Sequence, residues 1–165
     1  MLKDKLLKKQ GKTGLPAHNV PPFILDRVGF LLNRAAQRIR EVTEEALKDH
    51  QLIGKHLGIL TMIHEKGSIP QHEVGGCMSI DRTTMVDMID DLEKKGLVER
   101  RENPSDRRAY ALALTAKGKE ILPKIQKIGL EVERQFLSHL PAKDQKELVR
   151  ILQKLVLFHL SQTKS

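Results

Sequence analysis

At 165 residues with 39% hydrophobic content, the chain can bury one sizeable core, and a formal net charge of +8 suits a polyanionic partner. A single cysteine, Cys77, excludes an intramolecular disulfide and a cysteine-based zinc framework within one chain. No run approaches the ~18 consecutive apolar residues of a membrane span and no apolar segment follows the N-terminal lysines, so the expectation is a cytoplasmic protein without span or signal peptide.

Residues 1–21 read as a basic, flexible N-terminal segment. Five lysines against Asp4 in residues 1–12 supply +4 of the +8, leaving the remainder only mildly basic. Gly11, Lys12 and Thr13 match the end of a phosphate-binding loop, but Leu6 stands where that motif needs glycine and no strand can precede it. From residue 22 to 50, Ile24, Val28, Leu31, Leu32, Ala35, Ile39, Val42 and Ala46 recur in steps of three and four, which predicts one long amphipathic helix. Leu57, Leu60 and Ile63 mark a second helix stopped by Gly67. Pro70 to Met78 reads as a short helix despite Gly75 and Gly76, which each cost roughly 1 kcal/mol in a helix interior.

Asp81 is a suitable N-cap for a helix whose stripe is Met85, Met88, Ile89 and Leu92 and whose stop is Gly96. Immediately after it, residues 97–115 (LVERRENPSDRRAYALALT) alternate with period two on either side of Asn103, Pro104 and Ser105, predicting a β-hairpin with Asp106, Arg107 and Arg108 at its tip. A helix followed at once by such a hairpin is the arrangement of a winged helix, in which the helix enters a DNA major groove and the hairpin reaches a neighbouring groove. Two long helices follow: Ile121, Ile125, Ile128, Val132 and Phe136 stripe the first, and beyond Pro141, Leu148, Ile151, Leu152, Leu155 and Phe158 stripe the second. These terminal helices carry more apolar surface than one small core can cover, which points to dimerisation through both ends.

The run from Met78 to Leu122, especially DDLEKKGLVERR, NPSDRRA and LTAKGKEIL, resembles the MarR (multiple antibiotic resistance) transcriptional regulators. The resemblance implies a mainly α fold with a small β-hairpin (α+β), a winged helix-turn-helix at 54–116 flanked by dimerisation helices at 22–50 and 117–162. It further implies a triangular homodimer binding double-stranded DNA at a pseudo-palindromic operator, usually as a repressor. A small aromatic or phenolic effector that releases DNA is a further implication. The alternative is a winged-helix protein-interaction module whose acidic helix face docks a basic partner. Nothing in the residue spacing suggests an enzyme or a cofactor.

On this reading Ser79, Arg82, Thr83 and Thr84 meet base edges and phosphates at the start of the recognition helix, since arginine pairs bidentately with guanine and threonine offers a hydroxyl and a methyl. Without the hairpin, the same residues would read as a plain cap region. Asp106, Arg107 and Arg108 match the family's Asp-x-Arg wing element. Arg108 is the candidate for minor-groove insertion, held by the aspartate. Arg100, with Arg101, Lys94 and Lys95, is a candidate phosphate contact. Residues 81–96 nevertheless carry a net charge of −2, with Asp87 and Asp91 where many relatives have a basic residue, so the wing is expected to supply most of the phosphate contacts. Phe23, Phe30 and Met62 read as core, and Cys77 as a partly buried, inert thiol. The seven histidines show no i, i+4 pair and read as solvated or capping side chains, leaving no metal site.

Overall fold

The computed structural model describes residues 20–102 and 110–162. Helices α1 (Pro22–Leu25) and α2 (Val28–Leu47) lead through a one-turn 3-10 helix, Lys48–His50, into α3 (Gly54–Lys66). Strand β1 (Ile69–Pro70), helices α4 (Gln71–Met78) and α5 (Arg82–Lys94), and strands β2 (Val98–Glu102) and β3 (Tyr110–Leu114) follow. Helices α6 (Ala116–Phe136) and α7 (Ala142–Gln162) come last. The described residues form two compact units, one up to Val132 and one from Glu133 on.

The first long helix is broken where the sequence pattern runs on. Arg27 is extended at φ −96°, ψ 112°, and its amide donates to the Ile24 carbonyl at 3.0 Å where α1 ends. A single turn with no buried residue lacks the packing that sustains a helix in water. Phe23, expected in the core, is 63% exposed; Phe30 is half-exposed, while Met62 does pack against the core.

The core of the first unit is built by α3, α5, α6 and the sheet. Ile59, Leu60, Ile63, Ile89, Leu92, Leu112 and Ile125 are all fully buried. Gly67 and Gly96 end α3 and the α5 segment with φ of +78° and +68°, backbone that a Cβ disfavours. The hairpin gains a partner the sequence pattern did not announce: β1 pairs antiparallel with β3, giving the order β1-β3-β2. Two residues ending in proline have no readable period, and proline is tolerated on an edge strand because its missing N–H faces no neighbour. The alternation expected in β3 is absent, since Ala111 to Leu114 are all buried. β3 is the central strand, with α3 and α4 packed against it, and Leu112 and Leu114 join the hydrophobic core.

Thr115 joins the hairpin to α6. Its hydroxyl donates to the Gly96 carbonyl at 2.6 Å and accepts from the Gly118 amide at 3.0 Å, capping the helix. A Cβ on Gly118 would lie 2.1 Å from the Leu97 carbonyl oxygen, so glycine alone allows this approach. In the second unit α7 has no buried residue, and Gln145 ties its first turn to the preceding loop by donating to the carbonyls of Leu137 and Leu140.

Candidate nucleic-acid interface

Helices α4 and α5 are joined by a tight turn at Ser79, Ile80 and Asp81. Ser79 takes the left-handed conformation at φ 51°, and the amide of Ile80 donates to the Gly75 carbonyl at 2.9 Å. Asp81 then caps α5: its Oδ1 accepts from the Thr84 amide at 2.9 Å and its Oδ2 from the Thr84 hydroxyl at 2.6 Å. These bonds from Thr84 hold the Asp81 carboxyl below the usual range, so it stays ionised at the positive end of the helix. Ser79, Arg82 and Thr83 are exposed together at this end, whereas Thr84 is half-buried with its hydroxyl committed to the cap. One turn further, Val86 and Asp87 are also exposed on the face that carries Arg82 and Thr83. Val86 went unremarked in the sequence, although its i+4 spacing from Arg82 was available as a signal.

Three acidic residues of α5, Asp90, Asp91 and Glu93, are turned to use inside the fold. Arg100 on β2 forms an ion pair with Asp90 Oδ1 at 2.8 Å from one guanidinium nitrogen and donates from another to Glu93 Oε2. The Arg100 backbone amide donates to Glu93 Oε1 at 2.9 Å, and its Nε to Gln71 Oε1 on α4 at 3.4 Å. Asp91 pairs with Lys95 and lies 3.6 Å from His56 Nε2 on α3. The repulsion of phosphates expected from Asp91 is therefore reduced at its source. Among the candidate phosphate contacts, Arg101 is exposed and bonded to Glu99, Lys94 is exposed, and the Lys95 ammonium is held by Asp91. Asp106, Arg107 and Arg108 lie outside the described residues.

His56 is 6% exposed and accepts the Ile53 amide at Nδ1, 3.4 Å away, satisfying an orphan donor at the start of α3 as a capping histidine does. Burial pushes its imidazole below the ordinary range against the attraction of Asp91, and Lys95 acts in the same direction as burial. Cys77 is exposed, not partly buried: the short α4 turns Val74 and Gly75 inward and leaves the cysteine on its outer face. A half-open cavity of about 470 Å³ lies between α4 and the start of α5, lined by Gln71, His72, Ile80, Arg82, Val86 and Tyr110 among others. Among the described residues no helix is long and apolar enough to cross a membrane.

The model of the MarR family matches residues 55–110, the segment that holds α3, α4, α5 and β2. A putative transcriptional regulatory protein for the hcr operon of Thauera aromatica is 30% identical over 98 residues, 59% of either chain. The HTH-type transcriptional repressor NicR of Pseudomonas putida is 24% identical over 149 residues, covering 90% of this chain and 94% of that one. Among solved structures, the transcriptional repressor CouR bound to a 23-mer DNA duplex superposes with a TM-score of 0.77 at 27% identity, over 82% of this chain and 96% of CouR. MarR from E. coli, as a variant complexed with operator DNA, superposes with a TM-score of 0.74 at 25% identity, over 82% of this chain and 99% of that one. A capped recognition helix followed by a paired wing strand, the matching segment and these relatives agree: residues 55–110 carry the winged helix-turn-helix of the MarR family, whose members are transcriptional regulators and not enzymes.

Proposed function

We propose that the protein is a homodimeric repressor acting in the cytoplasm on a pseudo-palindromic operator. In this reading, residues 22–50 and 117–162 form the dimer and residues 54–116 read DNA. Each protomer lays α5 in the major groove with Ser79, Arg82 and Thr83 toward bases and phosphates, and sends the wing, with Asp106, Arg107 and Arg108, to the minor groove. The observation that carries this reading is the exposure of Ser79, Arg82 and Thr83 together at the capped, electropositive N-terminus of α5, one element before the wing strand. The rival reading, in which an acidic helix face docks a basic protein, loses its main support because Asp90, Asp91 and Glu93 are paired within the fold.

The cavity beside Arg82 falls within the size range of small-ligand sites, so a small aromatic or phenolic effector seated there would compete with DNA for that arginine. The test of the function is selection of duplexes from a random library, followed by footprinting of the winning sequence. An inverted repeat whose half-sites are centred about one helical turn apart is expected. Arg108→Ala should weaken binding to that duplex at least about tenfold at fixed salt, the scale of one good groove contact; undiminished affinity would remove the wing from the interface.

A further inference from the structure

The recognition helix of this chain carries an unusual load of carboxylates, and the structure gives two of them one shared partner. Arg100 reaches Asp90 and Glu93 on α5 and Gln71 on α4 from its position on β2, and its own backbone amide is held by Glu93. Its side chain is only 22% exposed, against 61% for its neighbour Arg101 on the same strand. A planar guanidinium with donors in a fixed fork can bridge several acceptors at once, which a single ammonium cannot do in the same geometry.

Resting on the DNA-binding reading above, we propose that Arg100 is a positioning residue: with Asp90, Glu93 and Gln71 it clamps the first wing strand to the recognition helix and fixes the angle at which helix and wing meet the duplex. Its guanidinium is then engaged inside the protein and does not neutralise a phosphate. The carboxylates of Asp90 and Glu93 serve the clamp rather than facing DNA, which accounts for two of the acidic residues of this helix, while Asp87 stays exposed beside Thr83. A clamp of this kind acts on specific binding, where helix and wing must be in register together. Nonspecific binding needs only charge near the backbone.

The test uses the full-length protein, the duplex it selects from a random library and a scrambled duplex of equal length, with active fractions determined by titration and folding followed by thermal unfolding. Arg100→Gln should lower affinity for the selected duplex at least tenfold, change scrambled-duplex affinity less than twofold, and leave the slope of log affinity against log salt unchanged. Arg100→Lys should fail to rescue, because it restores a charge but not the bridge. Asp90→Asn, a milder change that keeps the fold if Arg100→Gln does not, should lower specific affinity about threefold even though it removes a negative charge.

Direct pairing of Arg100 with a phosphate predicts the opposite set: rescue by lysine, parallel weakening on both duplexes, and a salt slope shallower by roughly 0.9 for each phosphate no longer neutralised. Tighter specific binding by Asp90→Asn, or no change in specific affinity for Arg100→Gln, would equally overturn the clamp. Failure of the unsubstituted protein to bind any duplex would instead overturn the DNA reading, before any variant is made.

Discussion

The helix-turn-helix with its sheet and the terminal helix α7 are both amphipathic by sequence, yet they end in opposite states. Ile59, Leu60, Ile89 and Leu112 are fully buried, whereas on α7 Ile151, Leu155, Val156 and Phe158 are 43% to 61% exposed. The N-terminal helices share the second condition, with Phe23, Val28, Leu31 and Leu32 all exposed. The difference separates a region that closes its own core from regions whose apolar stripes stay exposed among the described residues. Large unpaired stripes of this kind mark association surfaces.

The sharpest way to test the first half of that contrast is to hollow the closed core. Ile59→Ala should cost about 2–5 kcal/mol of stability, because it deletes fully buried methyl groups in a site packed from several elements; chemical denaturation showing a decrease below about 1 kcal/mol would mean the core is not closed as described. The second half is tested by placing charge on the open stripe. Leu155→Asp combined with Phe158→Asp should convert the proposed dimer to a monomer in sedimentation at micromolar concentration, weakening self-association at least about 100-fold, as removal of central apolar anchors does. An unchanged dimer would assign those side chains to solvent.

Within the closed region, Gly118→Ala should destabilise by about 1–3 kcal/mol, since the new methyl meets the Leu97 carbonyl and backbone must move. A neutral effect on thermal unfolding would contradict that approach. The smallest effect concerns His56. Its folded-state affinity for a proton lies below the unfolded value of 6.5, so the unfolded chain binds more protons as pH falls through and below that value. Its contribution to stability is therefore complete above about pH 6.5 and declines on acidification toward the lowered folded value. Replacing it by Gln should flatten the pH dependence of unfolding on the acid side of neutrality; an unaltered profile would place the acid sensitivity elsewhere.

Much of the site was readable from residue chemistry. Asp81 as cap, the Met85 to Leu92 stripe and Gly96 as stop delimit α5 almost to the residue, and the hairpin read over 97–115 appears as strands Val98–Glu102 and Tyr110–Leu114, with its turn formers outside the described residues. The missed features depend on partners distant in sequence. Strand β1 is two residues long and exists because β3 is there to pair with it. Ala111 and Ala113 look like an outward face, yet both are only 4% exposed in the central strand of the sheet. The charges of DDLEKKGLVERR lend α5 an apparent acidity that only the fold resolves, by folding β2 back so that Arg100 meets Asp90 and Glu93. The motif LTAKG likewise contributes a helix cap and a close approach of Gly118 to the Leu97 carbonyl.

The decisive measurement is the salt dependence of affinity for the duplex the protein selects, taken alongside a scrambled duplex. A dimer setting two helices and two wings on DNA predicts a log–log slope of about −5 or steeper with tighter binding to the selected sequence at every salt concentration. A slope near zero, or equal affinity for the two duplexes, would contradict sequence-specific DNA recognition by this chain.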